Sequence, residues 1–168
     1  MVSRVANGNR STDGPAAAAA GRTQIVLVVD DERDILDSLK ELFDGSLKGV
    51  RVLTALSGPI ALDLLRKEPV DLIVSDYRMP QMNGLDFLKR TREVAPGIPR
   101  ILITAFPDLD LAIRAINEAS IENFFTKPFD PAKVVEIVKN VLAERRAKEM
   151  RDQSFARSLD ELRRKTKP

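Results

Sequence analysis

Five short runs of Val, Ile, Leu and Phe recur along the chain, at Ile25–Val29, Val50–Thr54, Leu72–Ser75, Ile101–Thr104 and Phe124–Thr126, and each has the length of one β-strand. Between them the apolar residues change to helical spacing, as in Ile35, Leu36, Leu39, Leu42 and Phe43, in Leu109, Ala112, Ile113 and Ile116, and in Val134, Val135, Val138, Val141 and Leu142. Gly45, Gly49, Gly58-Pro59, Pro69, Asn83-Gly84 and Pro96-Gly97 fall where such elements must begin or end. The pattern is therefore a strand–helix unit repeated five times.

Strands without polar alternation are buried on both faces, and helices between them bring each new strand back parallel to the last through right-handed crossovers. Five units are too few to close an eight-stranded barrel. The expectation is an α/β fold, a doubly wound five-stranded parallel sheet with the flavodoxin-like strand order 2-1-3-4-5. In that order ligands sit beyond the carboxyl ends of strands 1 and 3, where the winding reverses.

Composition limits what chemistry can happen there. The 168 residues include no Cys and no His, which excludes thiol and imidazole nucleophiles, disulfides and the usual zinc sites, so any metal must be held by oxygen. A net charge of +2 and a pI near 9.0 conceal an uneven distribution. Residues 1–24 carry three basic and one acidic side chain and residues 144–168 nine and five, leaving 15 basic against 19 acidic in the centre. Residues 1–23, rich in Gly, Asn, Ser and Ala, lack the large apolar residues that would offset chain entropy and read as a disordered extension. No stretch has the length or apolarity of a membrane span or signal-peptide core, so the expected localisation is cytoplasmic, away from membranes.

The polar residues at the ends of the strand runs are Asp30-Asp31 after strand 1, Asp76 after strand 3, Thr104 at strand 4 and Lys127-Pro128 after strand 5. Each has an ordinary reading. Asp30 or Asp31 can cap the next helix, Asp76 can serve the turn before Met79-Pro80, Thr104 suits a strand, and Lys127 can be a solvated amine. Together they demand more. Two unit charges about 4 Å apart repel by roughly 4 kcal/mol at an effective dielectric of 20, so three carboxylates at adjacent strand ends call for a cation or for protons. Mg²⁺, a hard ion that accepts oxygen ligands and keeps some of its waters, answers that best. Carboxylate nucleophile, metal, ammonium and hydroxyl are the parts that receive a phosphoryl group and neutralise its oxygens.

The segments VLVVDDE (26–32), DLIVSDYRMPQMNGLDFL (71–88), ILITA (101–105) and FFTKPF (124–129), in this order and in one register over residues 24–143, resemble the receiver domain of two-component response regulators. The resemblance implies that Asp76 is the phosphoacceptor. It implies that Mg²⁺ is held by Asp31 directly, by Asp30 through water, by Asp76 and by the backbone carbonyl of Arg78. Lys127, before a cis Lys127–Pro128 bond, would pair with the phosphoryl oxygens, Thr104 would swing inward to bond them, and Phe124, at the place of the family's switch aromatic, would fill the space left. Arg78 and Phe106 occupy positions that modulate phosphoryl lifetime, and a long cation with a bulky aromatic there leads us to expect slow autodephosphorylation.

On this reading the chain is a signalling protein and no enzyme: a sensor histidine kinase or a phosphotransfer protein supplies the phosphohistidine that a chain without histidine cannot make. A Mg²⁺-dependent aspartyl-phosphate phosphohydrolase is the first alternative, opposed by Arg78, which stands where that chemistry needs a general acid. A receiver-like scaffold that is never phosphorylated is the second, opposed by the completeness of the Asp30, Asp31, Asp76, Thr104 and Lys127 set. No P-loop motif is present and the length leaves no room for a helix-turn-helix or a catalytic output domain, so a single-domain receiver is expected. Output is expected through the fourth helix, fifth strand and fifth helix, a face that includes Asp108, Asp110, Arg114, Lys133 and Glu136 and that serves a downstream protein target or phosphorylation-dependent homodimerisation. The remaining segment, 144–168, is a basic tail, amphipathic and helical or else disordered, with Phe155, Leu159 and Leu162 on a narrow stripe suited to a partner or a short coiled coil. Its basic end is too short to make nucleic acid the preferred partner.

Overall fold

A computed structural model describes residues 22–105 and 108–165. Ten elements alternate: β1 (Gln24–Val29), α1 (Arg33–Ser46), β2 (Val50–Ala55), α2 (Gly58–Lys67), β3 (Leu72–Asp76), α3 (Gly84–Val94), β4 (Arg100–Thr104), α4 (Leu109–Ala119), β5 (Asn123–Thr126) and α5 (Pro131–Lys165). The strands form one parallel sheet in the order β2-β1-β3-β4-β5, as expected from the apolar runs.

Alternation along each strand divides the core in two. Ile25, Leu27, Val29, Ile73 and Leu102 face one layer, where they meet Leu85, Phe87 and Leu88 of α3 and Leu111 and Ala115 of α4. Val26, Val28, Leu72, Val74, Ile101 and Ile103 face the other, against Leu36, Leu39 and Phe43 of α1 and Val134, Val138 and Leu142 of α5. Phe43 and Phe87 are fully buried, and burial of a side chain of that size contributes about 1.5–3 kcal/mol. The two layers hold the sheet rigid, so its carboxyl edge is a fixed platform for the residues that follow each strand.

Helix starts follow local chemistry. Ser57, Asn83 and Asp108 cap α2, α3 and α4 by accepting from the backbone N–H three residues on. Glu32 precedes α1 without a side-chain cap. No Gly or Pro interrupts the sequence after Pro131 until Pro168, and α5 runs unbroken past residue 143 to Lys165. Arg22 and Thr23, which the sequence reading placed in the amino-terminal extension, belong to the described residues. The Arg22 guanidinium pairs with buried Asp71 at 2.5 and 2.9 Å. The remainder of that extension, residues 1–21, lies outside the described residues, as do residues 106–107 and 166–168.

Candidate functional site

The carboxyl ends of β1, β3, β4 and β5 bring Asp30, Asp76, Thr104 and Lys127 to one rim of the sheet. Asp30 and Asp76 are 2% and 6% exposed, too deep for solvated surface carboxylates. Lys127 Nζ lies 2.8 Å from Asp76 Oδ1 and 2.9 Å from Asp30 Oδ2, so one ammonium bridges two carboxylates. The remaining carboxylate oxygens are held by the backbone: Glu32 N–H donates to Asp30 Oδ1 at 2.9 Å and Arg78 N–H to Asp76 Oδ2 at 2.6 Å. The ordinary turn role of Asp76 and its place in the cluster are therefore both real.

Burial pushes the Asp76 carboxyl above the usual carboxylate range. The hydrogen bond from Lys127 pulls the other way, the neighbouring charge of Asp30 pushes it up again, and upward is the net direction. Burial alone would depress the Lys127 ammonium, but its bonds to Asp76 and Asp30 outweigh burial and hold it above its ordinary value. Lys127 is thus firmly cationic and Asp76 is a carboxylate kept under electrostatic pressure.

Asp31, by contrast, is exposed beside the rim and lines a shallow cavity with Tyr77, Arg78, Met79, Pro80 and Asn83. Among the described residues no three His, Cys, Asp or Glu side chains converge on one point, because the Lys127 ammonium lies between Asp30 and Asp76 and Asp31 faces outward. The donor set nonetheless suits a hard divalent cation. Asp30 and Asp76 share one ammonium, Asp31 adds a third carboxylate beside them, and these side chains with the Arg78 carbonyl offer a hard ion oxygen ligands. Thr104 is fully buried at the end of β4. Phe124 sits half-buried on the same face of the sheet, paired in register with Leu102, two residues before Thr104. Phe125 points to the opposite core layer. The Lys127–Pro128 bond is cis. Phe106 lies outside the described residues.

Gly84 is a supporting position whose role the motif alone did not reveal. A Cβ there would lie 1.9 Å from the Asp76 carbonyl oxygen, so only glycine lets the start of α3 close against the end of β3. Gly84 N–H donates to Tyr77 O at 2.8 Å, and the loop between reaches it through Gln81 in the left-handed region at φ 67°, a strain of about 1–3 kcal/mol. The MNG triplet was the signal in the sequence; the distance to Asp76 was not legible there.

Residues 26–139 match the response regulator receiver domain family, and the chain belongs to that family. It is 39% identical over 117 residues to the hydrogenase transcriptional regulatory protein HoxA of Cupriavidus necator, covering 70% of this chain and 24% of that regulator. It is 35% identical to the sporulation initiation phosphotransferase F of Bacillus subtilis, over 70% of this chain and 92% of the relative. The chain thus spans about a quarter of the one and nearly all of the other. Among solved structures, the signal receiver domain of an HD domain-containing protein from Pseudomonas fluorescens superposes with a TM-score of 0.71 at 32% identity, covering 75% of this chain and 99% of that one. The beryllofluoride-activated NtrC4 receiver domain dimer gives 0.66 at 30% identity over 72% and 98%. No helix among the described residues is long and apolar enough to cross a membrane.

Proposed function

We propose that this chain accepts a phosphoryl group on Asp76 from the phosphohistidine of a separate sensor kinase or phosphotransfer protein. The observation that carries the reading is the single Lys127 ammonium shared by the two buried carboxylates Asp30 and Asp76. An Asp76 carboxylate oxygen attacks phosphorus, the P–N bond to the donor imidazole breaks, and the imidazole leaves with a proton. Transfer makes Asp76 an acyl phosphate and adds negative charge beside Lys127, which is positioned to exchange a carboxylate for a phosphoryl oxygen. Mg²⁺, held by Asp30, Asp31, Asp76 and the Arg78 carbonyl, would supply charge neutralisation for the oxygens in transit. Buried Thr104 offers a hydroxyl on the same rim, and Phe124 on the same face can follow its movement. The change then reaches a partner through the face formed by α4, β5 and α5. The place two residues beyond Asp76 holds Arg78 and no general acid, which favours a chain that stores the phosphoryl group over one that turns it over.

Incubation of the full chain with acetyl phosphate and Mg²⁺ tests this by intact mass. One added phosphoryl group is expected, lost in Asp76→Asn and suppressed by EDTA. No gain from acetyl phosphate or from a phosphorylated histidine donor would leave a receiver-like scaffold as the function.

A further inference from the structure

Leu142 is the last residue of α5 buried in the domain, and the helix continues for more than six turns as an arm. Phe155, Leu159 and Leu162 stand four and three residues apart on one stripe of that arm and are 67%, 39% and 58% exposed. Carried back at the same spacing, the stripe passes Asp152, Lys148 and Arg145 and reaches half-buried Val141. It is a seam with apolar ends and a charged middle.

We propose that this seam pairs antiparallel with the same seam of a second copy of this chain, Lys148 of each copy lying opposite Asp152 of the other. In that register Phe155 of one copy falls opposite Arg145 of the other, and Leu159 opposite Val141. A parallel, in-register pair would set Arg145, Lys148 and Asp152 each against its own like charge, which costs stability at every middle layer. The antiparallel pair converts the same residues into attractions. Gly97, Pro99 and Glu122 line a groove with Val141, Arg145 and Lys148 along the base of the arm, and the pairing ends there, because Val138, the next residue of the stripe, is fully buried in the domain.

The arm is also aimed before it meets a partner. Arg22 reaches both Asp71 and Glu149, Gln24 donates to the Leu142 carbonyl at 3.0 Å, and Arg145 bonds the Gly97 carbonyl and pairs with Glu149. These contacts fix the base of the arm to the amino edge of the sheet, so the seam is presented with little ordering cost. No residue of the strand-end site takes part, and the pairing stands or falls separately from phosphoryl acceptance.

Sedimentation of the full-length chain, unphosphorylated, is the test. The wild type is expected to dimerise in the micromolar range. Lys148→Asp and Asp152→Lys alone are each expected to raise the dimer Kd by about tenfold or more. Mixing the two single variants restores the dimer, and Lys148→Asp with Asp152→Lys in one chain dimerises by itself. A wild type that stays monomeric at hundreds of micromolar, single variants that dimerise as the wild type does, or a mixture that stays monomeric would each overturn the proposal. So would efficient disulfide formation between two copies of Phe155→Cys in this otherwise cysteine-free chain, since only a parallel pair brings residue 155 to itself.

Discussion

Asp76 carries opposing demands. Its side chain must be buried and crowded to sit beside Asp30 and Lys127, yet burial disfavours the charge that makes it a nucleophile. A folded pKa raised above the unfolded value of about 3.9 means that the folded state favours the protonated form. The resulting stabilisation is complete below the unfolded pKa and is lost as pH rises through the folded one. Asp76→Asn is therefore expected to melt a few degrees above the wild type at neutral pH in EDTA, with the difference vanishing below about pH 4. Mg²⁺ should raise the wild-type Tm and close that gap, leaving Asp76→Asn almost unmoved; a wild type indifferent to Mg²⁺ would count against the proposed ligand set. Gly84→Ala is expected to destabilise by about 1–3 kcal/mol in urea titration, because its methyl meets the Asp76 backbone and no flexible side chain can yield. The sequence exposed Asp30, Asp76 and Lys127 because polar residues ending apolar runs stand out. It could not expose Gly84's role, which depends on how closely two backbones approach, nor the sharing of one ammonium, which depends on distance.

At the scale of elements, strand positions were legible to within one residue, since each apolar run is short and bounded by polar or turn residues, even in the edge strands β2 and β5, which are only partly buried. Helix limits were less so. The charges of 144–165 support helix and solvated tail equally well as a string of letters, and only the continuity of α5 from a packed base separates them. α4 illustrates what sequence periodicity leaves out. Asp108 caps its start, while its far end is fastened to α3, where Lys89 pairs with Glu118 and Arg92 donates to the Asn117 and Glu118 carbonyls; Arg114, within α4 itself, also pairs with Glu118. Asp108 and Arg114, read from the sequence as candidates for contacts between subunits, thus have partners within α4. The hydrogen bond from Lys89 is the largest cause holding the Glu118 carboxyl below its ordinary value. A depressed carboxyl stabilises above its unfolded pKa, and the contribution is lost as pH falls through the folded one. Glu118→Gln is expected to speed amide exchange in the last turn of α4 at neutral pH and to match the wild type in acid; equal exchange at neutral pH would show that the Arg92 contacts fasten α4 unaided.

For the whole molecule, the basic pI belongs to the ends and the acidic surplus to the centre. The two have separate work: the centre gathers carboxylates at the carboxyl edge of the sheet, and at the opposite edge Arg22 ties β1, β3 and the arm of α5 together through Asp71 and Glu149. The fold was readable as a whole because each of the five units repeats one period change, whereas the course of the arm was not, because it is set by a few polar contacts between distant residues. The proposed function requires a phosphoryl group to reach one carboxylate. Reduction of the acetyl phosphate-treated chain with borohydride, which converts an acyl phosphate to the alcohol, followed by peptide mass mapping, locates it directly. Homoserine at position 76 and nowhere else is the expected result; conversion at Asp30 or Asp31, or at no aspartate in a chain that has gained phosphate, would contradict it.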